Sequence, residues 1–97
     1  MFQMSKKALL ALAAEEGMVI VDGFDAAIIG LSHRCGESTV VAYDIERMIK
    51  VLMDRDSCGY WEAYEYIEYN CLGAYVGEMN PVYLRLVEDI PVRELSD

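Results

Sequence analysis

Apolar residues recur along this chain in two rhythms, and the stretch from Ile45 to Met53 carries the clearer one. Ile45, Met48, Ile49, Leu52 and Met53 fall at i, i+3, i+4, i+7 and i+8, one stripe of a 3.6-residue period, and predict an amphipathic helix. Asp44 stands where its cap belongs, and Glu46 and Lys50 are expected to pair one turn apart on the outer side. After Ser57 to Gly59 a second helix is predicted from about Tyr60 to Leu72, with Ala63, Tyr64, Ile67 and Cys71 on one side and Glu62, Glu65, Tyr66, Glu68 and Tyr69 on the rest. Nearer the start, Ser5 is a fair cap for a helix over Lys6 to Glu15, Leu9, Leu10 and Leu12 give it an apolar side, and Gly17 is a natural terminator.

Strand signals fill the remainder. Met18 to Val21 is a short apolar run followed by Asp-Gly-Phe-Asp, a turn signal that predicts a hairpin, because Gly23 accepts positive φ and aspartates bond nearby amides. Ala26 to Leu31 is continuously apolar, which predicts a strand buried on both faces. A turn over Cys35 to Ser38 leads to a strand at Thr39 to Tyr43; beyond Gly73, Gly77 and Pro81, Val82 to Val87 is the expected closing strand. The expected fold is therefore α+β: a small antiparallel sheet of three to four strands packed on an amphipathic helix pair, with an N-terminal helix. Its 97 residues suffice for one domain, residues 1–17 being the N-terminal helix and 88–97 a loose polar tail.

Composition narrows the class. An apolar share of 55% with only two prolines argues against disorder, and no apolar run nears the roughly 20 residues that a membrane crossing needs, so a soluble protein is expected. Lys6 and Lys7 lead into Ala8 to Ala14, but Glu15 and Glu16 end that run too early for a secretory signal. Three irregularly spaced cysteines do not form a disulfide framework, which points to a cytoplasmic setting.

Charge changes the picture most. The formal net charge is −9, which disfavours direct contact with nucleic acid and favours a basic protein surface as partner. Residues 1–53 hold seven acids against five bases, whereas residues 54–97 hold ten acids against three. Between Asp56 and Leu84 there is no lysine or arginine, while Glu62, Glu65, Glu68 and Glu78 all lie there.

The segments VDGFDAAIIG, VVAYD, LMDRD, EAYEYIEYN and GAYVGEMNPVYL occur in this order. Together, over roughly residues 18–84, the chain resembles a family of small, largely uncharacterised proteins of tailed phages and prophages. The resemblance implies expression inside an infected bacterium and lends no site residues. Two departures stand out: the family pattern has a glycine where Ser57 stands and a serine or threonine where Gly59 stands, so the junction between the two helices is where this chain is expected to differ.

Several constellations have chemical potential. Asp22 and Asp25, with Glu37 or Asp44, could form an oxygen-rich site for Mg²⁺ or Ca²⁺, but calcium-loop spacing is lacking and a turn with capping aspartates is the plainer reading. His33 and Cys35 could form a thiolate–imidazole pair, yet no orienting group or oxyanion hole accompanies them. The same two residues with Cys58 and Cys71 could bind zinc, but no Cys-x₂-Cys knuckle is present, and Cys71 falls on the core side of its helix. Neither a metal nor another cofactor is expected.

What remains is the predicted helix Tyr60 to Leu72. A glutamate row alone is ordinary solvated surface, but tyrosine rings among the acids are the composition of an interface. The expected function is a non-enzymatic, protein-binding module with Glu62, Glu65, Tyr66, Glu68 and Tyr69 as its partner-binding residues. They would dock on a basic site of a host nucleic-acid-handling or defence complex, in the manner of phage inhibitors of CRISPR machinery, a comparison by analogy. Homodimerisation through the tyrosines is a further possibility. The alternative is a small enzyme or metal protein using Asp22, Asp25, His33 and Cys35.

Overall fold

The computed structural model describes residues 5–74 and 77–90. Helix α1 spans Lys6–Glu16. Ser5 is extended at φ −73°, ψ 160°, and its Oγ accepts the Ala8 amide at 3.1 Å. Gly17 ends the helix in the left-handed region at φ 75°, and the Met18 amide folds back onto the Ala13 carbonyl at 2.8 Å. Both ends are as the sequence predicts, but only Ala13 is fully buried, with Leu9 and Leu10 packed partly against the core.

The next segment departs from expectation. Met18 to Val21 pairs with no strand: the Val19 amide donates to the Met79 carbonyl at 3.1 Å and the Val21 amide to the Tyr43 phenol oxygen at 2.8 Å. Asp22 and Gly23 do make a turn, with Gly23 at φ 88°, but it is not a hairpin turn. Phe24 is drawn into the core and Asp25–Ala27 wind into a single 3₁₀ turn before β1, Ile28–Ser32, begins. Burying the phenyl ring and spending three residues on that turn leaves 18–21 out of the ladder.

Strand β2, Val40–Asp44, pairs antiparallel with β1 in the register Ile28 to Tyr43 and Ser32 to Val40, with an irregularity between Ile28 and Gly30. The connecting turn is closed by the Glu37 amide on the Arg34 carbonyl at 3.0 Å and an Arg34–Glu37 ion pair. All five β2 residues are buried, whereas in β1 only Ile28 is. The strand buried on both faces is thus β2. It lies in the middle of the sheet, β1–β2–β3, while β1 is an edge.

Helix α2, Ile45–Asp56, follows directly and buries Ile45, Met48, Ile49 and Leu52, the predicted stripe, with Met53 half-buried beside them. Asp44 is buried and is the predicted cap: Oδ1 accepts the Glu46 amide at 3.0 Å, and Oδ2 faces Arg47 at 3.5 Å. The expected Glu46–Lys50 pair is not made. Glu46 instead accepts a hydrogen bond from the Tyr60 hydroxyl at 2.6 Å, which joins α2 to the next helix. A half-buried phenol reached from a fixed neighbouring helix outcompetes a solvated lysine for that carboxylate.

Helix α3 covers Tyr60–Ile67 and continues as a wider, π-helical turn over Glu68–Leu72. The Gly73 amide closes it on the Glu68 carbonyl at 2.9 Å; a Cβ on Gly73 would sit 3.2 Å from that oxygen. Ala63, Ile67 and Cys71 form the buried side. Strand β3 is shorter than expected, Val82–Leu84, and the sheet is mixed rather than antiparallel throughout, because β3 runs parallel to β2, with Tyr43 opposite Tyr83. Two helices intervene between β2 and β3, long enough for the crossover that parallel pairing needs. Val87–Asp89 form a 3₁₀ turn within the segment expected to be strand end and tail, and the rest of that tail, 91–97, lies outside the described residues. The α+β class and the packing of three strands against a helix pair are as predicted.

Ser57 and Gly59 both stand at the α2–α3 junction. Ser57 sits in the left-handed region at φ 50°, ψ 41°, where a side chain is strained, and Gly59 caps α3 at φ −80°, ψ 169° with no side-chain bond. Nothing lies within 4 Å of a Cβ added at Gly59. Ser57→Gly should therefore raise stability by about 1 kcal/mol, and Gly59→Ser by a few tenths more. Urea midpoints at constant slope are the measurement; no gain from Ser57→Gly would mean that the junction relaxes freely.

Candidate functional site

The core stripe of α3 decides what the rest of the helix exposes. With Ala63, Ile67 and Cys71 turned inward, positions 61, 65 and 68 fall on the opposite side and 62, 66 and 69 beside them. Glu62, Glu65, Tyr66, Glu68 and Tyr69, the five predicted partner-binding residues, are all exposed, Tyr69 most fully at 81% and Tyr66 at 47%. Tyr64, also at this helix, is half-buried against the core, as its predicted position requires.

Trp61 also belongs to this face, and the sequence reading did not single it out. It is 72% exposed. The signal was available in the chain: a tryptophan two residues ahead of Ala63 is displaced by about 200° from the core stripe at 100° per residue. Its ring meets two neighbours in T-shaped contacts, Tyr60 at 5.1 Å and 88° and Tyr64 at 5.9 Å and 74° between ring planes. Leu72, exposed at the end of the wide turn, extends the apolar part. Asn70 keeps that turn in shape, donating from Nδ2 to the Tyr66 carbonyl at 2.9 Å. Cations border the face as well: Arg55 interacts with Tyr66 while forming its main hydrogen bond to Asp56 at 3.2 Å, and Arg85 interacts with Tyr60.

The Arg55 guanidinium lies 5.8 Å over the Phe24 ring and interacts with Asp22, so the Asp-Gly-Phe-Asp turn already has a positive group beside it. Glu37 pairs with Arg34, and Asp44 is spent on the α2 cap and Arg47. His33 Nδ1 bonds Thr39 Oγ1 at 3.1 Å across the base of the β1–β2 turn, and the imidazole lines a groove of about 480 Å³ with Leu12, Met18, Leu31 and Met79. Cys35 is exposed in the turn, Cys58 half-buried and Cys71 buried, where desolvation pushes its thiol pKa up; all three are free. Among the described residues no three His, Cys, Asp or Glu side chains gather in a way that could hold a metal ion, and no helix is long and apolar enough to cross a membrane. Comparison of the chain with models of protein families, with curated proteins and with solved structures gives no match.

Two phenols, Tyr60 on α3 and Tyr83 on β3, are strongly shifted. The hydrogen bond to Glu46, helped by burial, pushes the Tyr60 pKa up to about 12; burial first, and then Cys71 and Tyr43, push Tyr83 to about 12 as well. A phenol raised by folding keeps its proton after the unfolded chain has released its own. Its contribution is thus whole below the ordinary value of 10 and is lost as pH rises from there through about 12. Tyr60→Phe should cost about 1 kcal/mol at pH 8, below the roughly 1.5–3 kcal/mol of a bond to a charged group because the site is partly solvated. The deficit should narrow as pH climbs from 10 toward 12, the window set by the Tyr60 shift. Denaturant midpoints of both proteins over that range test it, and a gap independent of pH would contradict the raised pKa.

Proposed function

We propose that the outer face of α3 and its wide turn docks on a basic surface of another protein, the acids supplying attraction and the rings the buried contact. The observation that carries this reading is the co-location, on one solvent-facing side, of Trp61, Tyr66 and Tyr69 with Glu62, Glu65 and Glu68, in a stretch from Asp56 to Leu84 that has no lysine or arginine. Large rings are costly to leave in water and are the residues that concentrate binding energy when covered. Carboxylates around them would steer and align a positive partner and repel nucleic acid. Within the phage context that the sequence resemblance implies, the partner is an arginine- and lysine-rich site of a host nucleic-acid-handling or defence complex, which the protein occupies in place of phosphates. No catalytic step is involved. A second copy of the chain is a poorer occupant, because like carboxylate rows would face each other.

A labelled peptide of alternating arginine and lysine tests the face directly. Binding should be measurable at about 0.05 M salt and largely lost by about 0.5 M, where exposed charges are screened. The triple variant Glu62→Lys, Glu65→Lys, Glu68→Lys should lose it. The charge-matched variant Glu15→Lys, Glu16→Lys, Glu37→Lys, altered away from the face, should keep most of it. Equal loss in the two variants would reduce the effect to net charge and overturn the reading. So would a dimer at low salt, seen by sedimentation, that the face variant alone dissolves.

A further inference from the structure

We propose that Trp61 is an arginine-binding platform at the N-terminal end of this face, so that the partner presents an arginine rather than a lysine there; this rests on the docking reading above. The platform is built before any partner arrives. Two T-shaped contacts, with Tyr60 at 5.1 Å and Tyr64 at 5.9 Å, brace the indole while the residue stays 72% exposed. Tyr60 is in turn tied to α2 through the 2.6 Å bond to Glu46, and Tyr64 is packed against the core. Ring position is therefore inherited from two helices rather than left to an independent surface rotamer, and the entropy of ordering it is already spent.

The surroundings select the guanidinium. An indole offers the strongest aromatic face to a cation. Glu65 stands one turn from Trp61 at i+4, Glu62 is adjacent, and Glu68 begins the wide turn at i+7. A planar guanidinium can lie on the ring and at the same time direct its in-plane N–H groups to a carboxylate beside it; a lysine ammonium is a compact, strongly hydrated point charge that cannot do both. The wide turn places Tyr69 and Leu72 further along as a flanking apolar ledge for the partner's neighbouring side chains.

Fluorescein-labelled oligo-arginine and oligo-lysine of equal length, added to the full chain and followed by anisotropy, test the platform. The native protein should prefer the arginine peptide by about tenfold. Trp61→Phe should keep a preference and Trp61→Leu should reduce it to less than about twofold. Emission from Trp61, the chain's one tryptophan, should change on adding unlabelled oligo-arginine, a readout that needs no variant. Equal affinity for the two peptides, or a full preference in Trp61→Leu, overturns the platform. If Glu62→Lys, Glu65→Lys, Glu68→Lys still abolishes binding in that case, docking by charge stands alone. If it does not, both readings fall.

Discussion

The structure hinges on Tyr43 and the aspartate after it. Tyr43 is fully buried in the middle strand, stacks on Tyr83 of β3 at 5.9 Å, lies opposite Ile28 of β1, and accepts the Val21 amide on its phenol oxygen. One residue thus joins both edge strands and the unpaired segment 18–21. Burial raises its pKa, the cost of enclosing a hydroxyl, which the Val21 bond offsets in part. Asp44 then turns the same strand into α2 by capping it. Sheet and helices meet within two residues, and the direction in which α2 leaves the sheet is settled there.

From that exit the placement of the acidic face follows. α2 gives its apolar stripe to the core and its Glu46 carboxylate to Tyr60, and α3 buries only Ala63, Ile67 and Cys71. So narrow a buried side, with Tyr60 and Tyr64 half-buried beside it, leaves the other residues of α3 in solvent. The wide turn at Glu68–Leu72 adds to this: it keeps Cys71 inside while Tyr69 and Leu72 stay outside. Such expansions of a helix distort the hydrogen-bond ladder and are frequent at functional sites. Here one lies within the very face that bears the rings and carboxylates.

Stability and display are coupled at the same places. The Tyr60 hydroxyl that fastens α3 to α2 also fixes the ring against which Trp61 rests. The strained Ser57 and the uncapped Gly59 precede that contact by three residues and one. A strained, uncapped junction beside a firm aromatic contact means that the orientation of α3 depends on side-chain packing more than on its own termini.

The chain alone determined whatever depends on near neighbours. The Ser5 and Asp44 caps, the Gly17 stop, the stripe of α2 and the outward position of Glu62, Glu65, Tyr66, Glu68 and Tyr69 follow from spacing within one helix. Even the outward position of Trp61 follows from the core stripe two residues on. Tertiary structure alone decided the rest, because those choices are made between groups far apart in sequence. The Asp-Gly-Phe-Asp turn lost its hairpin to the burial of Phe24; β3 runs parallel because two helices carry the chain back; Glu46 bonds a tyrosine on another helix in place of Lys50. Periodicity states which side of an element is apolar, but only packing states which element that side meets and from which direction.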